Sequence, residues 1–274
     1  MIKDILVCLE GSASTERAIE LGLELAREHG ARLVGLAIID DPDLRPNPTP
    51  ADLEQHRDLV LLESARLRAE ATLAQFETRC QLAGVATRNL EARGRPAAKI
   101  LQEMTEHDLT LIGRNANFLL ETGEEDAHTR DDVLHRARKP VMIVPDEPAR
   151  AGQDVLIAFD GSSAAKRAVL AFADSGLAQG RTVHVASMDD DGEQAWEMAS
   201  RGVDLLRERS VAARPRSLVS ALPIADALLD LRRKLGAGLM VTGAYASSRF
   251  SELIWGSVTR EMIEKSPVPL FLHH

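Results

Sequence analysis

An internal repeat constrains the fold of this 274-residue chain more than any other feature. The run Leu239–Gly243 is short and apolar, and it leads into small residues and then a helix-like segment. The run Leu109–Gly113 begins the same pattern earlier in the chain. Residues that correspond at one constant offset are Gly113 and Gly243, Thr129 and Thr259, and Arg130 and Arg260. The chain is therefore a duplication of one unit, in which the loop after the glycine differs between the copies.

A second match places the start of each copy. Val155–Phe159 matches Ile5–Leu9, and each run is followed by an acidic residue, a glycine and a serine. Between the copies, Pro145–Gly152 has the proline, glycine and charged composition of a linker. The predicted domains are residues 1–146 and residues 152–274.

Short apolar runs alternate with segments of helical periodicity in both copies. The predicted strands are Ile5–Leu9, Arg32–Ile39, Thr87–Glu91, Leu109–Gly113 and Val141–Val144, then Val155–Phe159, Thr182–Ser187, Arg216–Ser220, Leu239–Gly243 and Pro269–Leu272. The longest predicted helix runs from Ala51 to Leu82, with one apolar stripe toward the core. Alternation of this kind predicts the α/β class, with two doubly wound parallel-sheet domains.

Composition narrows the classes of partner and compartment. The net charge of −9 argues against general attraction to nucleic acid or to anionic membranes. The apolar runs are too short for a membrane span, and we expect a cytoplasmic protein. Cys8 and Cys80 lie on apolar faces and are predicted to be buried structural thiols. No metal site is predicted, because the histidines are scattered.

Several polar and small residues fall where strands of the second copy end. Asp160 ends the first strand of that copy, and Gly243 follows the fourth, where the absence of Cβ lets a ligand approach the backbone. Gly256 and Ser257 open the final helix, with Thr259 half a turn further, so free N–H groups and hydroxyls favour phosphate. Each piece alone is also ordinary turn and capping chemistry. Together, at neighbouring strand ends, they predict nucleotide or phosphate binding.

These residues resemble the universal stress protein family. The family's ATP-binding loop is Gly-x2-Gly-x9-Gly followed by Ser or Thr. The second copy has Gly243-x2-Ala246-x9-Gly256-Ser257 after an Asp-Gly-Ser strand end, so Ala246 stands at the second glycine. The resemblance covers nearly the whole chain in two copies, as in tandem members. It implies an adenine nucleotide alpha hydrolase-like fold and ATP as the cofactor, with Mg²⁺ as counter-ion.

The resemblance also implies a role for each matching residue. Asp160 would meet the adenosine, with Thr242 beside it. The loop and helix start would hold ribose and phosphates through Gly243, Ala246, Gly256, Ser257, Val258 and Thr259. The last strands, Val141–Val144 and Pro269–Leu272, would pair antiparallel, which makes the chain an intramolecular pseudo-dimer and is compatible with a homodimer of chains.

The first copy departs further from that loop. Glu10 replaces the aspartate, and Ala116 replaces the second glycine. Asp126 and Ala127 stand where the second copy has its Gly-Ser pair, within an acidic stretch. Carboxylates repel a polyanion, and the helix start lacks its hydroxyl. We expect no triphosphate binding in this copy.

The leading functional expectation is stress adaptation, with an adenine nucleotide sensed mainly by the second domain. The sequence offers no evident general base, so we do not expect an enzyme. Two alternatives stay open. One is a scaffold that binds no nucleotide and acts through protein partners, and the other is a binder of a different small molecule in the cleft between the domains.

Overall fold

The computed structural model describes residues 1–40, 59–116, 118, 128–147, 152–244 and 257–273. Contacts divide the chain into two compact units, Ile2–Lys139 and Met1 with Pro140–His274. Each unit carries a mainly parallel sheet whose strands are joined by helices, which confirms the predicted fold class. The contact division places the strand Val141–Val144 in the second unit. The domain boundaries derived from the sequence stay predictions.

The first unit carries four described strands in the order β3-β2-β1-β4, all parallel. Its elements are β1 Asp4–Leu9, α1 Ala13–His29, β2 Arg32–Ile39, α2 Leu59–Ala83, β3 Thr87–Arg93, α3 Pro96–Glu103, β4 Leu109–Gly113 and α4 His128–Arg136. In the register of the sheet, Ile5 of β1 lies between Leu33 of β2 and Leu109 of β4. The inner strands β1 and β2 are buried along almost their whole length, as parallel strands with covered faces are.

The second unit carries six described strands in the order β5-β10-β9-β6-β7-β8. Its elements are β5 Val141–Val144, β6 Val155–Ala158, α5 Ser163–Ser175, β7 Val183–Met188, α6 Gly192–Arg207, β8 Ala213–Leu218, α7 Ile224–Leu235, β9 Leu239–Gly243, α8 Ser257–Lys265 and β10 Leu270–His273. Of the described pairings, only β5 with β10 is antiparallel, with Leu270 opposite Ile143. This pairing confirms the predicted antiparallel arrangement of the two last strands.

Local sequence explains where the first helices begin and how they pack. Ser12 caps α1, because its hydroxyl accepts the N–H groups of Ser14 and Thr15. The predicted apolar stripe on α2 is confirmed, and its buried members are Ala69, Leu73, Phe76 and Cys80. A Cβ on Gly35 would lie 2.7 Å from the Phe76 ring, so this glycine makes room for the ring over the sheet.

In the core of the second unit, the rings of Phe172 and Phe271 meet edge to face, 6.0 Å apart.

Several predicted strand ends differ from the structure by one or two residues, and one strand differs more. The strand predicted at Arg216–Ser220 is wrong in position, because β8 spans Ala213–Leu218 and includes Pro215. Pro215 is compatible with this strand because β8 pairs in the described sheet only with β7, and an edge strand tolerates a missing N–H. The predicted helix Ala51–Leu82 is described from Leu59, and its first eight residues lie outside the described part. Within the described part of the chain, no helix combines the length and apolar character that a membrane crossing requires.

Candidate functional site

Asp160 lies directly beyond β6 at the carboxyl edge of the second sheet. Its exposed carboxylate accepts the N–H of Ser162 at 2.9 Å, and the Ser162 hydroxyl accepts the N–H of Ala165 at 3.1 Å to cap α5. Gly161 between them has a φ of 76°, and a Cβ there would lie 2.7 Å from the sulfur of Met198. This turn holds the carboxylate at the edge of the sheet, where it is open to solvent.

Gly243 ends β9, the strand that pairs in parallel with β6. A Cβ on Gly243 would lie 2.6 Å from the backbone nitrogen of Ala165 and 2.7 Å from the carbonyl carbon of Ala164. The first turn of α5 therefore fills the space that the sequence analysis assigned to an approaching ligand. Glycine is needed at this position for packing, because the missing Cβ allows α5 to begin directly against the end of β9.

The start of α8 lies next to the same glycine. Ser257 is the first residue of α8 and is exposed, and Val258 is half-buried. Thr259 is buried, and its hydroxyl lies 3.5 Å from the carbonyl oxygen of Gly243; the hydroxyl of Thr242 lies 3.4 Å from the same oxygen. Thr259 therefore ties the start of α8 to the end of β9, whereas Thr242 belongs to the strand itself. This leaves Ser257 and the N–H groups of the first turn as the phosphate-facing candidates.

Two of the predicted site residues are not among the residues that the structure describes. Ala246 and Gly256 lie outside the described residues, as do Asp126 and Ala127 of the first copy. The described part of the predicted site is made of Asp160, Thr242, Gly243, Ser257, Val258 and Thr259. It gathers at one carboxyl edge of the second sheet.

The equivalent strand end of the first unit is occupied by the chain's own hydroxyl groups. Ser12 donates to the carboxylate of Glu10, and the hydroxyl of Thr15 donates to it at 2.8 Å. Ser14 contacts Ser12 at 2.8 Å, and its Cβ lies 2.6 Å from the point where a Cβ on Gly113 would stand. This cluster was not predicted from the sequence. Its signal was the Ser-Ala-Ser-Thr run after the glycine, where the second copy has Ser-Ser-Ala-Ala.

A small pocket lies beside that cluster. It measures about 70 Å³ and lies at the carboxyl ends of β1 and β2, lined by Glu10, Asp40, Arg68, Thr72 and Phe118 among others. Phe118 is buried there. Space of this size holds several water molecules, whereas drug-sized ligands occupy pockets of about 300–1,000 Å³. This described pocket of the first unit is therefore too small for a nucleotide.

The two cysteines are buried, as predicted. Burial raises the pKa of the Cys8 thiol far above its ordinary value, with a smaller contribution from the nearby Glu10 carboxylate. Burial likewise raises the pKa of Cys80. Neither thiol is therefore activated as a nucleophile or ligand. Among the described residues there is no group of three or more His, Cys, Asp or Glu side chains that could hold a metal ion.

The chain contains two α/β units whose strand ends match in sequence. It is therefore a tandem duplication of one α/β domain. The model of the universal stress protein family matches residues 1–145 and again residues 153–274. The chain belongs to the universal stress protein family, and the suspected relationship to its tandem members is confirmed.

Similar proteins match this chain over nearly its whole length. Universal stress protein Slr1230 of Synechocystis is 19% identical over 289 residues, which covers 98% of this chain and 99% of the relative. A crystal structure of a universal stress protein from Archaeoglobus fulgidus is 17% identical, covers 98% of this chain and 95% of its own, and has a TM-score of 0.71. The functionally unknown protein PA1789 from Pseudomonas aeruginosa is 16% identical, with coverage of 99% and 92% and a TM-score of 0.55. These structural similarities concern the fold.

Proposed function

We propose that this chain is a stress-response sensor or regulator that binds an adenine nucleotide at the carboxyl edge of its second unit. ATP is the proposed ligand, with Mg²⁺ as counter-ion. Asp160 would accept hydrogen bonds from the adenosine. Ser257 and the first N–H groups of α8 would face the phosphates, because a helix start directs backbone N–H groups and a favourable dipole toward an anion.

The observation that carries this proposal is the difference between the two strand ends. At β1, the Glu10 carboxylate is engaged by the hydroxyls of Ser12 and Thr15. At β6, Asp160 is exposed, and alanines stand where the first copy has Ser14 and Thr15. Asp160 accepts one N–H group from its own chain, that of Ser162, whereas Glu10 accepts two hydroxyl groups. Asp160 therefore keeps more lone pairs for a ligand, since each oxygen offers a limited number. The second strand end is therefore the better ligand site.

Two matched substitutions test the proposal in titration calorimetry with ATP and Mg²⁺. Asp160→Ala should weaken ATP binding by about tenfold or more, because hydrogen bonds to a charged group contribute about 1.5–3 kcal/mol. Glu10→Ala, at the equivalent position of the first unit, should leave the affinity within about twofold of the parent. Equal losses from the two variants would contradict the assignment of one working site.

A matched pair at the two helix starts gives a second test. Gly256→Asp introduces a negative charge where phosphates are proposed to lie, and it should abolish the ATP signal. Ala127→Asp adds the same charge to the first copy and should change nothing. Gly243→Ala is unsuitable for this purpose, because it collides with α5 whether or not a ligand binds.

The alternative function is a scaffold that binds no nucleotide. One observation favours it: the backbone of α5 fills the space beside Gly243, so no ligand can occupy that space. Heat or acid denaturation of freshly purified protein separates the two functions, with the released adenine measured by absorbance and chromatography. Adenine near one equivalent per chain supports the nucleotide sensor, whereas absent adenine together with a flat ATP titration supports the scaffold. The proposal assigns no catalytic step, and measured ATP turnover would replace it.

A further inference from the structure

Four large apolar side chains are exposed on the second unit, one on α6 and three where β8 leads into α7. Trp196 is 50% exposed, Val219 60%, Leu222 52% and Ile224 46%. We call these four residues the apolar patch. The chain between them adds exposed Ala221 and Pro223, so Val219–Ile224 is mostly apolar and open to solvent. Contiguous exposed apolar surface of this kind marks interaction sites.

Contacts place the start of α6, one turn before Trp196, beside Val219. A Cβ on Gly192 would lie 3.4 Å from Cγ2 of Val219, so the start of α6 rests against the segment after β8. The N–H of Asp189 donates to the carbonyl of Leu218 at 3.3 Å, which fixes the two loops to each other. Trp196 lies one helical turn beyond Gly192, on the same face of α6.

The Val219–Ile224 segment is also held in shape. The N–H of Leu222 donates to the hydroxyl of Ser220 at 3.1 Å, which forms a local turn. The next residue after the segment, Ala225, is buried at the base of α7, and so is Leu228. The apolar side chains therefore point to solvent from an anchored loop. A partner could bind them without a large ordering cost.

The rim of the apolar patch carries negative charge. Exposed carboxylates lie beside it on the β7–α6 loop and the first turns of α6: Asp189, Asp190, Asp191, Glu193 and Glu197. Residues 189–200 and 219–225 include no lysine or arginine. The N–H of Glu193 holds the pKa of Asp191 below its ordinary value, so this carboxylate keeps its charge in mildly acidic solution.

We propose that the apolar patch docks a cationic amphipathic segment of a partner protein. Apolar side chains of the partner would cover Trp196 and Leu222, and its lysines or arginines would meet the acidic rim. Charge complementarity selects this occupant. Anionic lipid headgroups would be repelled by the rim, and a second copy of this chain would bring the same negative rim against it. The apolar patch includes none of the residues of the proposed nucleotide site: it lies near the carboxyl ends of β7 and β8, whereas that site lies at the ends of β6 and β9.

Two synthetic helical peptides of equal length test the proposal, one built from Leu and Lys and the other from Leu and Glu. Binding to the full chain is followed by titration calorimetry at low and physiological salt. The Leu/Lys peptide should bind, and Trp196→Ala or Leu222→Ser should each weaken it by about tenfold or more, as anchors at the centre of an interface do. Asp190→Asn with Glu193→Gln should weaken it and flatten its salt dependence.

The control variant is Leu82→Ser, which removes a still more exposed leucine, at 85%, from α2 of the first unit. Its affinity for the Leu/Lys peptide should match the parent. Equal binding of the Leu/Glu peptide, an equal loss in Leu82→Ser, or no binding of either peptide would overturn the proposal. Self-association that Trp196→Ala abolishes would replace the partner with a second copy. Binding to anionic vesicles that Trp196→Ala abolishes would replace it with a membrane.

Discussion

The Gly243→Ala substitution tests why a glycine ends β9. The added methyl group would lie 2.6 Å from the nitrogen of Ala165 and 2.7 Å from the carbonyl carbon of Ala164. Both atoms belong to the backbone of α5, so no side-chain rotation relieves the collision and the helix must shift. Overpacking of this kind costs about 1–3 kcal/mol, and we expect the upper part of that range. For a unit of this size the melting temperature should fall by about 4–12 °C.

The equivalent glycine of the first unit gives a control with a different outcome. A Cβ on Gly113 would lie 2.6 Å from the Cβ of Ser14 but 3.2 Å from its backbone carbonyl carbon. Removing that side chain should therefore relieve much of the collision. We expect Gly113→Ala to be destabilising alone, and Ser14→Gly to rescue it with a coupling of about 1–2 kcal/mol in a double-mutant cycle.

Scanning calorimetry is the appropriate assay, because a chain of two units need not unfold in one transition. Titration with ATP on the same samples separates packing from ligand contact. An unchanged melting temperature in Gly243→Ala, combined with lost ATP binding, would refute the explanation that α5 packing requires this glycine. The missing Cβ would then make room for a ligand instead.

Three further predictions concern thiols, a cap and pH. Cys8 and Cys80 should resist alkylation by iodoacetamide at pH 8 until urea unfolds the chain, because burial raises both pKa values; rapid labelling of the folded protein would contradict this. Ser162→Ala should lower the free energy of unfolding in urea by about 1 kcal/mol, since the cap of α5 is lost; an unchanged midpoint would contradict it. Hydrogen bonds from Lys234 and then Arg233 lower the pKa of Asp230, so its stabilising contribution is present above the ordinary carboxyl pKa of about 3.9 and is lost as pH falls through the lower folded value. Asp230→Asn should therefore destabilise the chain at pH 7, and this difference should shrink toward pH 3; a pH-independent difference would contradict it.

Much of the fold was predictable because buried parallel strands read as apolar runs. Arg32–Ile39, Leu109–Gly113 and Leu239–Gly243 have the same bounds in the sequence analysis and in the structure. The strand β8 was misplaced by three residues at its start, because Pro215 argues against a strand unless the strand is known to lie at an edge. Edge position is a property of the whole sheet, and a local pattern does not contain it.

The candidate site was predictable in position but less so in detail. Matching the copies located Asp160 and Gly243 at one edge of the sheet. The packing of α5 against Gly243 depends on the distance between two elements, which sequence spacing does not provide. The hydroxyls around Glu10 were visible as residue types, but their convergence on one carboxylate required coordinates. The apolar patch was missed for the same reason, since Trp196 and Leu222 are far apart in the chain.

A crystal structure of the chain with ATP and Mg²⁺ would test the nucleotide assignment most directly. We expect one nucleotide per chain, with its adenosine against Asp160 and its phosphates at Ser257 and the first N–H groups of α8. Density for the nucleotide against Glu10 in the first unit would contradict it. So would a second unit that stays without nucleotide at saturating ATP.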